Sequence, residues 1–272
     1  MSQDYKLLKN QGYLHLKNFL STDEASTLKN LQMQVHKRLS KNGDILREVK
    51  PLANYKEFWD LINSKKILEK FKSFNLENIK YLYNSHSVYQ TNEGDIDQNW
   101  HRDNVCRNFN EGPDWDKNLK YDVFRVGIYL TDKEANTGLK VIPGTHTSKG
   151  YICKLIRLLR TRLGFIYKMK IFKKLFDLVF AKKIYIQKGD CIIFYANIYH
   201  ASMASNKPRQ AFFLSYGKDN LHGQNYLNYY KYHRLDSDTF FPTIPIEEKD
   251  ELDNLLKKNN IYISLPKKKI KI

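Results

Sequence analysis

The sequence is poor in the residues that form covalent cross-links, tight turns and fibrous repeats. It contains only 3 Cys, 12 Gly and 7 Pro among its 272 residues. The three cysteines, Cys106, Cys153 and Cys191, are widely spaced. They therefore form neither a disulfide framework nor a zinc ligand set, and they suit a reducing compartment. The scarcity of Gly and Pro excludes a low-complexity or collagen-like chain.

Long apolar runs are also missing. No stretch of about 20 apolar residues is available to span a bilayer, and the first residues lack the apolar segment and small-residue cleavage site of a signal peptide. We therefore expect a cytoplasmic protein. Hydrophobic residues still make up 42% of the chain and aromatic residues 14%, which is enough for a buried core rich in strands and lined pockets.

Acidic residues are scarce relative to basic ones. The chain has 29 Asp and Glu but 46 Lys and Arg, which gives a net charge of +17. Such a charge attracts nucleic acid, acidic lipid headgroups, or phosphorylated and carboxylated substrates. Much of it lies in residues 147–183, where eleven Lys and Arg residues accompany one acidic residue, Asp177. Residues 262–272 form a second basic segment, which we expect to be a disordered tail.

The first part of the chain is predicted to be mainly helical. Ser21 and Glu24 fit a capping box at the start of a helix that runs to about Leu39. A second helical stretch is predicted over residues 55–74. The apolar positions of the first helix form one stripe, made of Ala25, Leu28, Leu31, Val35 and Leu39.

Short strands separated by turn signals are predicted next. They cover residues 81–89, 124–130, 139–142, 185–186, 191–195 and 211–216. A helical layer followed by such strands predicts one mainly β domain over residues 1–272, a sandwich or jelly roll with helices packed outside. In strand 124–130 we assign Val126, Ile128 and Leu130 to the packed face, so that Arg125 can face the barrel interior, and the alternative is that the two faces are reversed.

The basic segment 147–183 is predicted to be a helical insert that is interrupted at Gly164. Its apolar positions recur at helical spacing, and they are Leu155, Leu159, Ile166, Met169, Phe172, Phe176 and Val179. A basic amphipathic helix can lie on an anionic membrane surface, cover an active site as a lid, or pack on its own domain. Packing is the default expectation, and the density of basic residues favours an anionic surface or substrate.

The motif Trp100-His101-Arg102-Asp103 contains a candidate metal-binding pair. Residues two apart in a strand point to the same face, so His101 and Asp103 can reach one ion together. Two histidines and one carboxylate leave open coordination positions, which suits non-haem iron(II). The motif taken alone also fits an ordinary surface turn.

A second block of residues can complete this metal site. A turn at Gly189-Asp190 precedes the strand 191–195, and His200, Ser202 and Arg209 follow it. His200 can be the third ligand, and Arg209 can bind a carboxylate deep in the barrel through two charge-assisted hydrogen bonds. The alternatives are a histidine at the edge of the core and a surface charge on a hairpin.

A third block lies between these two and carries a family resemblance. The run from Tyr129 to His146 begins with an acidic loop. The tripeptide Asn136-Thr137-Gly138 follows the loop, and the run ends with Leu-Lys-Val-Ile-Pro-Gly-Thr-His. Together with the His-x-Asp pair before it and the Gly-Asp, His-x-Ser and Arg block after it, this run resembles the phytanoyl-CoA dioxygenase family. The three blocks occur in the family's order, and the resemblance extends from about Gly12 to Tyr216.

This resemblance implies a double-stranded β-helix, iron(II), 2-oxoglutarate as co-substrate, and O2. It makes His101, Asp103 and His200 the metal ligands. Arg209, aided by the Ser202 hydroxyl, would bind the distal carboxylate of 2-oxoglutarate. Arg125 is a further cofactor-binding candidate, with pairing to a protein carboxylate as the alternative. The presence of Asp103 favours hydroxylation or another oxidation, with release of succinate and CO2, because related halogenases lack this carboxylate.

Some residues depart from the family pattern or have no assigned role. Arg102 stands where Gln is more common, the interval from His200 to Arg209 is short, and the basic insert is not a family hallmark. We expect His146 to be structural rather than a ligand. His222 and His233 have no role that the sequence assigns.

The predicted function is therefore an iron(II)- and 2-oxoglutarate-dependent dioxygenase that acts on a small or lipid- or sugar-linked anionic substrate. The predicted partners are this substrate and an anionic membrane surface contacted peripherally through residues 147–183. The alternative is a basic nucleic-acid- or membrane-binding protein that retains the metal site without turnover. Nucleic acid is disfavoured because the basic residues lack a recognisable reader motif.

Overall fold

A computed structural model describes most of the chain. As predicted, a mainly helical part precedes most of the strands, whereas the two helices after the last strand were not predicted. The described residues are 2–40, 45–90, 100–103, 116–131, 137–147, 152, 154–156, 158, 170–203, 209–234 and 239–269. The helices are α1 (Gln3–Gln11), α2 (Thr22–Arg38), α3 (Trp59–Ile62), α4 (Lys65–Ser73), α5 (Lys170–Phe180), α6 (Leu221–Tyr232) and α7 (Ile246–Lys258). The strands are β1 (Tyr13–Leu16), β2 (Glu48–Val49), β3 (Ile79–Tyr81), β4 (His86–Gln90), β5 (Val123–Tyr129), β6 (Gly138–Val141), β7 (Lys182–Tyr185), β8 (Cys191–Tyr195), β9 (His200–Ser202) and β10 (Arg209–Lys218).

The strands form two antiparallel sheets that face each other. The larger sheet has the order β1-β8-β5-β10-β4-β2, and β3 also pairs with β10. The smaller sheet has the order β7-β6-β9. This arrangement confirms the predicted jelly roll, the double-stranded β-helix, with helices packed outside it.

Four strands of the large sheet, β1, β5, β8 and β10, divide their side chains between two hydrophobic clusters. Val126 and Ile128 of β5 belong to the core that includes Phe58 and Phe71 from the helical layer. Tyr129 instead belongs to a cluster that spans the space between the two sheets. The period of two along a strand therefore separates an outer, helix-covered face from an inner face, as predicted for this strand.

The helical layer forms for the local reasons that the sequence predicts. The Ser21 side chain accepts a hydrogen bond from the Glu24 backbone N–H at 3.1 Å, and the Glu24 carboxylate accepts one from the Ser21 N–H at 2.7 Å. This reciprocal pair is the predicted capping box. The stripe on α2 packs on the core through Ala25 and Val35. The second predicted helical stretch is divided into a 3₁₀ turn, Lys56–Phe58, and the helices α3 and α4.

Two residues of the family-like blocks fix the ends of strands. A Cβ atom on Gly138 would lie 1.9 Å from the Ile184 carbonyl oxygen, so only glycine permits the close pairing of β6 with β7. The carboxylate of Asp190 lies 2.8 Å from Nε2 of His15 and 2.9 Å from the Asn18 backbone nitrogen. Asp190 thereby ties the start of β8 to the segment after β1.

The basic insert is only partly helical. Helix α5 confirms a helix at its end, whereas Lys182 and Lys183 belong to β7 and pair with β6. The prediction that the helical insert extends to residue 183 is therefore wrong at this end, because the last two residues complete the small sheet. The predicted break at Gly164 lies outside the described residues.

Helix α5 is attached to the small sheet through the one acidic residue of the insert. Asp177 accepts a hydrogen bond from the Trp100 indole N–H at 2.6 Å and one from Lys140 Nζ at 2.7 Å. Phe176 and Phe180 pack in the same cluster as Trp100. The helix therefore lies directly beside the segment that carries His101.

The expectation of a disordered C-terminal tail is wrong for residues 262–269. Ile263 is buried in the main core. The Pro266 carbonyl accepts hydrogen bonds from Lys231 and Tyr232, and the Lys268 carbonyl accepts one from Asn228. The tail is held because its backbone carbonyls meet donors on α6 and its apolar residues continue the core.

No described helix has the length and apolar character needed to cross a membrane.

Replacing Asp177 with alanine should loosen α5. The change leaves the buried Lys140 ammonium without its carboxylate and the Trp100 N–H without its acceptor, which costs roughly 2 kcal/mol of unfolding free energy. Thermal and denaturant unfolding measure the loss, and Asp250→Ala on the exposed face of α7 is the matched control. Equal stability of the two variants would contradict this attachment.

Candidate metal centre

A pair of backbone hydrogen bonds brings the two candidate histidine ligands together. His101 and His200 form an isolated antiparallel bridge. The N–H of each residue donates to the carbonyl of the other at 3.0 Å. The Asp103 N–H donates to the Ala196 carbonyl at 2.9 Å, which holds the other end of the motif. Residues distant in sequence are thus placed in register.

The three predicted ligands converge on one point. His101, Asp103 and His200 each offer a donor atom, and these atoms all lie within 4.8 Å of one another. Nε2 of His101 is 3.7 Å from Oδ1 of Asp103, and Nε2 of His200 is 3.7 Å from Oδ2. No other group of potential metal ligands of this kind occurs among the described residues.

The protonation states of the buried ligands suit metal binding. Nδ1 of His200 lies 3.1 Å from the Ile198 carbonyl, which can only accept, so the ring hydrogen is on Nδ1 and the Nε2 lone pair is available. Burial, together with the adjacent His101, lowers the pKa of His200 to about 4. Burial alone would raise the pKa of Asp103, but the nearby Arg125 and histidine charges lower it below its ordinary value.

The metal centre opens into a cavity of about 260 Å³ between the two sheets. Its wall combines cations and hydrogen-bonding groups with an apolar surface. The lining residues are Arg47, Glu48, His86, Val88, His101, Asp103, Arg125, Leu139, Phe194, His200, Ser202, Arg209 and Phe213. All six predicted site residues are therefore on this wall.

Arg209 is a buried cation that faces the cavity. The residue is 6% exposed, and its Nε has no hydrogen-bond partner among the described residues. Burial lowers the pKa of its guanidinium, and no carboxylate in the described part of the chain forms an ion pair with it. An unpaired buried cation is costly, so this position requires an anion.

Tyr129 is a candidate that the sequence did not single out. Its hydroxyl is buried without a hydrogen-bond partner among the described residues. Burial raises the pKa of this hydroxyl to about 12, and the charge of the nearby Arg209 opposes the shift. Its position on the inner face of β5 was predictable from strand alternation, but its proximity to Arg209 depends on the pairing of β5 with β10.

Ser202 and Arg125 occupy different parts of the cavity wall. Ser202 lies on β9, opposite Leu139 in the small sheet. Arg125 lies on the inner face of β5, as predicted, with Nε 3.1 Å from Oδ2 of Asp103. This contact is an ion pair without the alignment of a good hydrogen bond, because the same Nε has no partner by hydrogen-bond geometry. A protein carboxylate thus pairs with Arg125.

His86 lines the cavity and was also not singled out by the sequence. Its ring stacks on Phe213, and its Nδ1 lies 3.4 Å from Nη2 of Arg125. A guanidinium can only donate, so Nδ1 accepts and the ring hydrogen lies on Nε2. Burial and the charge of Arg125 lower the pKa of His86 well below its ordinary value. The cavity wall therefore contains a neutral imidazole.

The remaining motif residues are structural. Arg102 points away from the ligands, stacks over the Tyr199 ring and donates to the Thr145 carbonyl at 2.6 Å. Nε2 of His146 contacts the Lys9 carbonyl at 2.9 Å, and its ring stacks on Tyr195. The Pro-Gly-Thr-His turn thus braces the metal motif against α1. His222 packs on Tyr121, and His233 follows the end of α6.

The donor set fits iron(II) and a 2-oxo acid. Two imidazoles and one carboxylate bind one face of an ion and leave positions for a chelating co-substrate and for oxygen. The second carboxylate of such a co-substrate is an anion of the kind that buried Arg209 requires.

A model of a known protein family matches the first part of the chain. The family model for phytanoyl-CoA dioxygenase (PhyH) matches residues 8–157, which covers more than half of the chain. That match includes His101 and Asp103 and ends before His200 and Arg209. A search of curated protein sequences finds no match.

Solved structures extend the likeness over most of the chain. HygX from Streptomyces hygroscopicus, with nickel and 2-oxoglutarate bound, has a TM-score of 0.63 and 13% identity over 80% of this chain and 88% of its own. EctD from S. alaskensis, with bound Fe, has a TM-score of 0.58 and 16% identity over 80% of this chain and 76% of its own. SnoN, a non-heme alpha-ketoglutarate-dependent epimerase from nogalamycin biosynthesis, has a TM-score of 0.53 and 15% identity over 79% of this chain and 81% of its own.

These structures establish the fold, and the family match establishes the reaction class. The family's enzymes use iron(II), 2-oxoglutarate and O2. With its jelly roll and its convergent donor set, the chain belongs to the phytanoyl-CoA dioxygenase family of iron(II)- and 2-oxoglutarate-dependent oxygenases.

Proposed function

We propose that this oxygenase hydroxylates an anionic small molecule, which can be linked to a lipid or a sugar, and releases succinate and CO2. His101, Asp103 and His200 hold the iron in this proposal. Arg209, with Ser202 and Tyr129, binds the distal carboxylate of 2-oxoglutarate. The observation that carries the proposal is the convergence of three donor atoms in a cavity that Arg209 also lines, a buried guanidinium with no carboxylate partner in the described part of the chain.

Different residues at the site would bind the iron, hold the co-substrate and exclude water. When bound, iron(II) supplies the coordination positions at which the co-substrate and oxygen react. Arg209 fixes the far end of the co-substrate by charge, and hydroxyl donors such as that of Tyr129 complete its hydrogen bonds. The apolar wall, which includes Leu139, Phe194 and Phe213, keeps water from the reacting atoms.

The preference for an anionic substrate rests on the net charge of the chain, which is +17. Arg47, Glu48 and His86 also line the cavity, but Glu48 opposes the charge of Arg47 and His86 is neutral, so they add no net charge. A basic protein focuses negatively charged molecules toward such an opening. Oxidation of the substrate is favoured over halogenation because Asp103 completes the ligand set, and hydroxylation is the oxidation that we propose.

One surface favours a peripheral membrane contact in addition. Leu175, Leu178 and Val179 of α5 are 55%, 81% and 68% exposed, and they lie at helical spacing on one face. Lys182 and Lys183 follow directly and are exposed. Apolar side chains beside lysines suit the interface of an anionic bilayer. We propose that this face of α5 contacts acidic lipid headgroups.

Loss of one metal ligand should strongly weaken metal binding. His101→Ala and Asp103→Ala should each weaken Ni(II) or anaerobic Fe(II) binding by about 100-fold or more, because even outer hydrogen-bond partners contribute 10–100-fold. Calorimetric titration of the purified protein measures this, and His233→Ala is the control. Wild-type affinity in both ligand variants would contradict the proposed centre.

Changes at the co-substrate end should leave metal binding intact. Arg209→Gln should raise the KM for 2-oxoglutarate by about 100-fold, and Tyr129→Phe by about 10-fold, because hydrogen bonds to a charged group contribute roughly 1.5–3 kcal/mol. Succinate formation with iron(II), ascorbate and a panel of lipid, nucleotide, CoA and sugar substrates measures both. An unchanged KM in Arg209→Gln, with turnover preserved, would exclude this role.

The membrane contact should depend on both apolar residues and charge. Wild-type protein should sediment with vesicles that contain phosphatidylglycerol and not with phosphatidylcholine alone. Leu178→Ser combined with Val179→Ser should reduce this binding roughly 10-fold or more, since each buried aliphatic side chain contributes about 1.5–3 kcal/mol. Ile246→Ser, on the exposed face of α7, is the matched control. Failure of the wild type to sediment would end this proposal.

A further inference from the structure

The carboxylate of Asp103 is shared between the metal centre and a buried arginine. Oδ1 faces His101 at 3.7 Å, while Oδ2 lies 3.1 Å from Nε of Arg125 and 3.7 Å from Nε2 of His200. The Arg125 side chain is only 4% exposed. One oxygen of the carboxylate is therefore under the influence of a fixed positive charge.

Arg125 is held in place by contacts from two strands and from the segment just before one of them. Its Nη1 donates to the Asn84 carbonyl at 2.7 Å and to the Ser215 hydroxyl at 2.5 Å. Its Nη2 lies 3.4 Å from Nδ1 of His86. These contacts come from β4, from β10 and from the residues just before β4. The guanidinium therefore has a single orientation, with Nε toward Asp103.

Helix α6 supports the same residues from behind. The Tyr226 hydroxyl accepts a hydrogen bond from the Asn84 side chain at 2.7 Å and lies 3.0 Å from the Ser215 hydroxyl. The Tyr230 hydroxyl donates to the Asp103 carbonyl at 2.9 Å. The backbone and the carboxylate of Asp103 are thus both anchored by one buried network.

The contact of Arg125 with Oδ2 bears on how many oxygens of Asp103 can bind the metal. An aspartate can bind a metal through one oxygen or through both, and a second oxygen would occupy a position that a chelating co-substrate needs. A cation that attracts Oδ2 opposes binding through both oxygens.

We propose that Arg125 is a positioning residue that holds Asp103 as a ligand through one oxygen and thereby keeps a coordination position open for the co-substrate. The proposal rests on the proposed role of Asp103 as a metal ligand. In this proposal Arg125 acts on the metal ligand Asp103 and does not itself bind 2-oxoglutarate.

Cobalt(II) substitution tests the proposal without turnover, because its visible absorption reports the coordination number. Arg125→Met should change the Co(II) spectrum toward higher coordination, weaken Co(II) binding by about 10-fold and reduce the spectral change on adding 2-oxoglutarate. Arg125→Lys keeps the charge and should restore much of the Co(II) affinity. Arg209→Met is the matched control, and it should lose 2-oxoglutarate binding while the spectrum without co-substrate stays that of the wild type.

The outcomes separate the two proposals. If Arg125→Met gives the wild-type spectrum and 2-oxoglutarate response while Asp103→Ala loses Co(II), the metal centre stands and the role of Arg125 is wrong. If Asp103→Ala also binds Co(II) like the wild type, the metal centre itself is wrong. Should Arg125→Met fail to fold, Arg125→Gln decides, because it keeps hydrogen-bond donors but removes the charge, and a wild-type Co(II) spectrum in that variant would overturn the proposal.

Discussion

The candidate site depends on the pair of hydrogen bonds between the backbones of His101 and His200. Each residue donates its N–H to the other's carbonyl at 3.0 Å, so the two imidazoles are brought to a ring separation of 4.3 Å. Everything else at the site is arranged around this bridge. Asp103 follows two residues later on the same face, and β9 carries Ser202 from His200 toward the co-substrate end.

Two buried arginines give the cavity its electrostatic character, and they differ in what balances them. Arg125 is paired with Asp103 and is held by a network of neutral donors and acceptors. Arg209 has no such partner in the described part of the chain. A fold can retain an unpaired buried cation when a ligand supplies the missing charge. Under the proposed function, the distal carboxylate of 2-oxoglutarate would supply the charge that balances Arg209.

Much of this architecture was predictable because it depends on local patterns. Alternation along β5 predicts that Arg125 faces inward, and Ser21 with Glu24 predicts the start of α2. Contacts across the fold are different, because sequence spacing does not encode them. The tail after residue 262 is held because α6 presents donors to its carbonyls and its apolar residues continue the core. The proximity of Tyr129 to Arg209 and the hydrogen bond from Trp100 to Asp177 depend on which strands and helices become neighbours.

The central claim is that one metal ion and one 2-oxoglutarate molecule bind between His101, Asp103, His200 and Arg209. The most direct test is a crystal structure of the protein grown anaerobically with iron(II) and 2-oxoglutarate, with anomalous scattering recorded at the iron edge. The account predicts one anomalous peak among the three ligands and the distal carboxylate of 2-oxoglutarate at Arg209. Iron bound elsewhere, or a co-substrate oriented away from Arg209, would contradict it.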